Sequence, residues 1–108
     1  MDFDKENRLT VTAEIFKALS NPGRLALLEK LAQGPRCVCE LAQELRMNKS
    51  ITSKHLSYLY KVGLLRSQKQ GVTVRYELTS PCVIELSAYT LESVQKEIVK
   101  RWNSGIDT

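Results

Sequence analysis

Between Cys39 and Gly63 the chain spells two short amphipathic helices with a turn of only two residues between them. Leu41, Ala42 and Leu45 fall on one face of a helix over about 39–46, and Met47-Asn48 forms the turn. Asn48 is a favourable N-cap for a helix over about 49–62, which Gly63 closes in the left-handed region. Helices this short and this tightly joined make a helix-turn-helix. The period then changes from helical to alternating, so that residues 64–68 and 73–78 read as strands joined through Lys69-Gln70-Gly71. A hairpin at that place is a wing. The expected fold class is therefore mainly α with a small β-hairpin: a winged helix-turn-helix in the order α-α-α-α-β-β-α.

The flanking segments fit around this unit. A first helix over about 10–20 presents Ala13, Phe16 and Leu19 on one face. Asn21-Pro22 starts a second, which runs to about Ala32 with Leu25, Leu28 and Leu31 inward and ends at Gly34-Pro35. Residues 36–39 form a short extended segment. Ser80-Pro81 opens a last helix over 81–102 whose apolar stripe is Ile84, Ala88, Leu91, Ile98 and Trp102, flanked by Val94 and Val99. At 108 residues the chain reads as one domain, 1–108, with no repeat or linker. So long a terminal helix has little domain left to cover. It is expected to pack with the first helix against a second copy, making a homodimer with Phe16 and the stripe at its interface. Folding back on its own core is the competing reading. The ends, about 1–9 and 103–108, are expected to fray.

Composition narrows the partners. With 43% hydrophobic and 26% charged residues the chain is globular rather than disordered. Sixteen Lys+Arg against 12 Asp+Glu give a net charge of +4, which permits nucleic-acid binding; placement of the charges has to decide it. On a helical wheel of 49–62, Thr52, Leu56 and Leu59 face the core. The opposite side carries Ser50, Lys54, Ser57 and Lys61, with Lys49 and Ser53 flanking the first turn. Short hydroxyls let a helix approach DNA closely, and lysines meet phosphates or base edges in the major groove. The wing adds Lys69, Thr73 and Arg75 for a neighbouring backbone or minor groove. A polar face is ordinary on any surface helix, but the turn before it and the hairpin after it point to double-stranded DNA. His55, the single histidine, sits at the edge of the buried side, suited to packing or to a phosphate hydrogen bond.

Other classes fall away. With one histidine there is no histidine metal site and no Ser–His–Asp triad. No phosphate loop or catalytic carboxylate pair is present, so an enzyme is not expected. No stretch approaches the roughly 20 apolar residues of a membrane span. The N-terminus, Met1-Asp2-Phe3-Asp4-Lys5-Glu6, is acidic rather than a basic-then-apolar signal. A cytoplasmic protein without a membrane partner is expected.

Several stretches carry a family likeness. They are Ala13-Glu14-Ile15-Phe16-Lys17-Ala18-Leu19-Ser20-Asn21-Pro22-Gly23-Arg24-Leu25, Cys37-Val38-Cys39-Glu40-Leu41-Ala42, Ser53-Lys54-His55-Leu56, and Gly63-Leu64-Leu65 followed by Gln70-Gly71. Together they resemble the ArsR/SmtB family of winged-helix repressors over about residues 12–102. The resemblance implies a homodimer that represses transcription and releases its operator DNA when an inducer binds. Its half-sites would lie about one helical turn apart (roughly 34 Å), or a multiple of that. Three departures stand out. Arg46 occupies the place of a usual Gly, and Thr52 that of an aliphatic residue. Residues 82–102 contain no His or Asp, which removes the zinc site some relatives build on the last helix.

Cys37, Cys39 and Cys82 then matter most. In a reducing compartment three cysteines suggest thiol or metal chemistry rather than a disulfide framework, although a free cysteine is often a small buried hydrophobe. In arsenic-responsive relatives the Cys-X-Cys box is followed by a third cysteine on the same helix; here that position is Ala42. Trivalent arsenic or antimony favours three thiolates, and Cys82 is the candidate third. If the extended segment pairs antiparallel with 73–78, Cys37 is expected towards the strand end from which the chain reaches Cys82. That places a Cys37–Cys39–Cys82 site in one subunit, with a cross-subunit site as the alternative. The expected inducer is As(III) or Sb(III), with no organic cofactor. Competing readings are a cadmium, lead or copper(I) sensor, a thiol-oxidant or persulfide sensor, and a soft-metal carrier without a DNA role.

Overall fold

The computed structural model describes residues 5–105. Its elements are α1 (Lys5–Leu19), α2 (Pro22–Leu31), β1 (Arg36–Cys37), α3 (Val38–Leu45), α4 (Lys49–Lys61), β2 (Leu65–Gln70), β3 (Thr73–Leu78) and α5 (Cys82–Ser104). This is the winged helix-turn-helix order expected from the sequence, with the short extended segment at Arg36–Cys37 added to the hairpin as a third strand. The strands form one antiparallel sheet in the order β1-β3-β2.

Local chemistry sets the boundaries. The Asn21 side chain accepts a hydrogen bond from the Arg24 N–H at 3.0 Å, and Pro22 follows at the first helical position. The Asn48 Oδ1 likewise accepts from the N–H groups of Ser50 (2.8 Å) and Ile51 (3.1 Å). Gly63 (φ +91°) ends α4, with the Leu64 N–H bonded to the Leu59 carbonyl and the Gly63 N–H to that of Tyr60. The turn after α3 repeats this pattern without a glycine. Arg46 takes φ +51°, while the N–H of Met47 bonds to the Ala42 carbonyl.

Four boundaries differ from expectation. Helix α1 begins at Lys5 and α5 runs to Ser104, so residues 5–9 and 103–104 are helical rather than frayed. Lys5-Glu6-Asn7-Arg8-Leu9 holds no glycine or proline and several good helix formers; residues 1–4 and 106–108 lie outside the described part. Strand β2 extends to Gln70, which pairs with Thr73, because Gly71 (φ +64°) and Val72 suffice for the loop. Helix α3 starts at Val38, with Cys37 in extended backbone (φ −91°, ψ 168°) as its N-cap.

The core gathers Ala18, Leu27, Leu28, Leu31, Leu41, Leu56, Leu59, Leu64, Leu65 and Leu78. Thr52 is fully buried among them, its hydroxyl donating to the Asn48 carbonyl at 2.8 Å. That bond explains how a hydroxyl is tolerated where an aliphatic residue was expected. The apolar faces of α1 and α2 divide between the core and an open cleft. Helix α1 turns Ala18, with Ile15 and Leu19, to the core and leaves Ala13 and Phe16 exposed. Helix α2 buries Leu27 rather than Leu25, which stays half-buried. The reason is shared: Phe16 and Leu25 line an open apolar cleft with Leu19, Leu86 and Leu91.

Helix α5 anchors only at its start. Val83 is buried and Ile84 packs on the core, but every residue from Ala88 to Gly105 is exposed. The radius of gyration, 16.9 Å, exceeds the about 13 Å of a compact domain of this length. No helix is long and apolar enough to cross a membrane among the described residues.

Candidate nucleic-acid interface and thiol site

Helix α4 presents its polar face as the wheel indicated. Lys49, Ser50, Ser53, Lys54, Ser57 and Lys61 are all exposed, while Thr52, Leu56 and Leu59 are buried. Helix α3 packs across its inner side through Leu41, and the wing rises from its C-terminal end. Lys69 and Thr73 stand exposed next to the wing tip. All eight residues are exposed, and α4 carries no acidic residue.

Two expected DNA contacts sit elsewhere. Arg75 is turned back to the body: its Nη2 donates to the Pro35 carbonyl at 2.8 Å, and its Nη1 lies 3.6 Å from Glu40 Oε1. His55 is half-buried against the start of α2, where a Cβ added to Gly23 would stand 3.3 Å from its Nε2. Burial, reinforced by the Arg24 charge, pushes the imidazole below its ordinary pKa. Arg24 itself donates to the carbonyls of Ala18 (2.6 Å) and Lys17 (3.3 Å), and its guanidinium lies 4.6 Å from the Tyr58 ring centroid. It thereby caps α1 and braces α4.

The thiol pair occupies the start of α3. Cys37 is half-buried at the N-cap and Cys39 is exposed two residues later. Glu40 Oε1 accepts the Cys37 N–H at 3.0 Å. That bond, with the Cys37 thiol and the charges of Arg75 and Arg36, holds the Glu40 carboxyl below its ordinary pKa despite some desolvation. Arg36 fastens the segment before it: Nε pairs with Glu44 at 3.0 Å, and Nη1 donates to the carbonyls of Gly34 and Lys30. Sequence reasoning missed the role of Glu40, and it read Arg36 only as local positive charge beside the thiols. The Cys37-Val38-Cys39-Glu40 spacing, an acidic residue three after an N-cap, was the available signal for Glu40.

Cys82 does not join the pair within one protomer. Strand β1 does pair with β3, but Cys37 faces Arg75 and Arg36 faces Tyr76. Cys37 thus lies towards the wing tip, with three residues (about 10 Å of strand) still to run from Arg75 to Leu78 before the turn to α5. The expectation that Cys37 sits at the Cys82 end is reversed by this register. Cys82 is exposed at the first turn of α5, its Sγ 3.0 Å from Ser80 Oγ. Among the described residues no three His, Cys, Asp or Glu side chains converge as a metal site. One protomer therefore offers a soft ion two free thiols and leaves further donors to come from outside it.

The residues placed at the dimer interface divide in the same way. Phe16, Leu91, Ile98 and Trp102 are 56%, 58%, 57% and 85% exposed, and Ala88 is exposed beside them. Ile84 belongs to the protomer's own core margin.

Comparison with known proteins places these features. The model for bacterial regulatory proteins of the arsR family matches residues 21–67. The chain is 34% identical over 86 residues to a cadmium resistance transcriptional regulatory protein CadC homolog of Staphylococcus aureus, covering 79% of this chain and 70% of that one. The homodimeric winged helix-turn-helix DNA-binding domain of Mb0332 from Mycobacterium bovis superposes with a TM-score of 0.75 at 30% identity, covering 91% of each chain. The AntR antimony-specific transcriptional repressor superposes with a TM-score of 0.70 at 30% identity, covering 89% of this chain and 90% of that one.

Proposed function

Because this chain belongs to the arsR family of bacterial regulatory proteins, we propose that it is a homodimeric repressor released from operator DNA when a trivalent arsenic or antimony ion binds its thiols. The family consists of transcriptional regulators, not enzymes. Here α4 is the recognition helix in the major groove, with Lys49, Ser50, Ser53, Lys54, Ser57 and Lys61 facing DNA and Lys69 and Thr73 following the backbone. The exposed apolar faces of α1 and α5 meet a second copy, as the homodimeric relative's architecture supports.

The observation that carries the inducer reading is the position of Cys37 and Cys39. They open the helix that packs on α4, and the Cys37 backbone is laced to the wing through Glu40 and Arg75. An ion drawing both thiolates together strains that first turn and shifts the angle between α3, α4 and the wing. The third thiolate is Cys82 of the partner protomer, since the β1–β3 register keeps a protomer's own Cys82 away. An allosteric coupling of about 1–3 kcal/mol would weaken operator affinity roughly 5- to 150-fold.

A divalent soft ion is the second reading, favoured by the cadmium-resistance relative. Titrating antimonite, arsenite and cadmium into the operator complex of the reduced protein separates the two. Release by the trivalent ions, abolished in Cys37→Ser and Cys39→Ser and weakened in Cys82→Ser, is expected. Release by cadmium alone selects the second reading, and release that survives both Cys37→Ser and Cys39→Ser removes the thiol site altogether.

A further inference from the structure

Helix α4 carries one aliphatic side chain on its open face. Ile51 is 49% exposed in the first turn, among Lys49, Ser50, Ser53 and Lys54. Among the described residues Ile51 belongs neither to the buried core nor to the partly buried hydrophobics packed against it. The inward side of α4 is already filled by Thr52, Leu56 and Leu59, and the exposed apolar faces of α1 and α5 lie on other elements. Helix propensity does not call for it there, since a β-branched residue on an exposed helical surface is inferior to alanine.

We propose that Ile51 is a specificity-determining residue that reads a thymine through its 5-methyl group in the major groove. This rests on the DNA-reading assignment of α4. The N-terminal residues of a recognition helix are the ones that reach base edges. Among the four bases only thymine presents an apolar group in the major groove. Asn48 holds the backbone of the turn that carries Ile51, because its Oδ1 accepts the Ile51 N–H at 3.1 Å and the Ser50 N–H at 2.8 Å. Lys54, three residues on, shares that flank of the helix and supplies the neighbouring phosphate or base contact. Thr52 cannot be the methyl reader: it is fully buried, with its hydroxyl committed to the Asn48 carbonyl. Tyr60, the other large exposed hydrophobic residue bordering this face, lies at the far end of the helix and carries a hydroxyl.

The test starts from duplexes that the full-length protein selects out of a random-sequence pool. Each thymine of the recovered half-site is replaced in turn by uracil, which removes only the methyl group. One thymine, or two adjacent ones, should lose about fourfold in affinity, the fold-change equivalent of one buried methyl-sized group. Ile51→Ala, a change that favours the helix, should bind the thymine and uracil duplexes equally and retain the wild-type circular dichroism. Absence of any thymine–uracil difference, or its persistence in Ile51→Ala, overturns the proposal while leaving DNA binding intact. Recovery of no bound duplex overturns the DNA-reading assignment and this inference with it.

Discussion

Arg75 and Glu40 pair at 3.6 Å across the junction between β3 and the first turn of α3, directly opposite the backbone of Cys37. The same carboxylate oxygen takes the Cys37 N–H, and the same guanidinium donates to the Pro35 carbonyl. Wing and thiol pair are therefore mechanically continuous. An arginine that would look like a phosphate ligand in a wing strand is instead the tie between the two.

This makes a prediction about salt. Removing one phosphate-binding charge should lower the slope of log affinity against log salt by about 1. Lys54→Gln and Lys69→Gln should each do so. Arg75→Gln should leave the slope unchanged, although it loosens the wing and can weaken binding overall. A slope for Arg75→Gln that falls with those of the lysine variants would show that the arginine leaves Glu40 when DNA arrives.

The apolar surface of α5 predicts a stability that depends on concentration. Burying a leucine-sized side chain is worth about 1.5–3 kcal/mol, and a two-fold interface counts each residue twice. Leu91→Asp and Ile98→Asp should therefore each raise the dimer dissociation constant by at least about 100-fold. Trp102 is the single tryptophan, so its emission should shift to the red in both variants. Sedimentation showing dimers as tight as wild type would place the interface elsewhere.

The order of elements was legible because periodicity, Asn caps and glycine stops act over a few residues. Thr52, Leu56 and Leu59 against Lys54 and Ser57 could be read from a wheel, since one helix decides which side each residue takes. What could not be read is what depends on register between distant segments. A shift of two residues between β1 and β3 would have moved Cys37 towards Cys82, and nothing in Arg36-Cys37 specifies that register locally. Leu25 was misplaced for a related reason: an apolar residue facing a cleft between α1, α2 and α5 follows the same spacing as one facing the core.

His55 should leave a signature in the pH dependence of stability. Its folded pKa is depressed below the ordinary 6.5 by burial against α2 and by Arg24. The unfolded chain therefore takes up a proton that the folded state resists. Stability should be full above about 6.5 and should fall as pH drops from there towards the lower folded value. Denaturant midpoints for wild type and His55→Gln should diverge across that window. Parallel profiles would mean that the imidazole is as free in the fold as in the unfolded chain.

The turn between α3 and α4 holds the last prediction. Arg46 is the single described non-glycine residue with positive φ, at +51°. A side chain in the left-handed region costs roughly 1–2 kcal/mol, while a glycine there gives back about 0.5–1 kcal/mol through the entropy of the unfolded chain. Arg46→Gly should thus stabilise the protein by about 0.5–1 kcal/mol, or raise Tm by about 3–6 °C. Arg46→Ala keeps the strain and should gain nothing. Among the described residues no hydrogen bond or ion pair of the Arg46 side chain offsets this, because the bonds that close the turn run through the backbone of Arg46 and Met47. Equal Tm values for Arg46→Gly and Arg46→Ala would show that the turn is relaxed and that the two helices, rather than the residue between them, set its geometry.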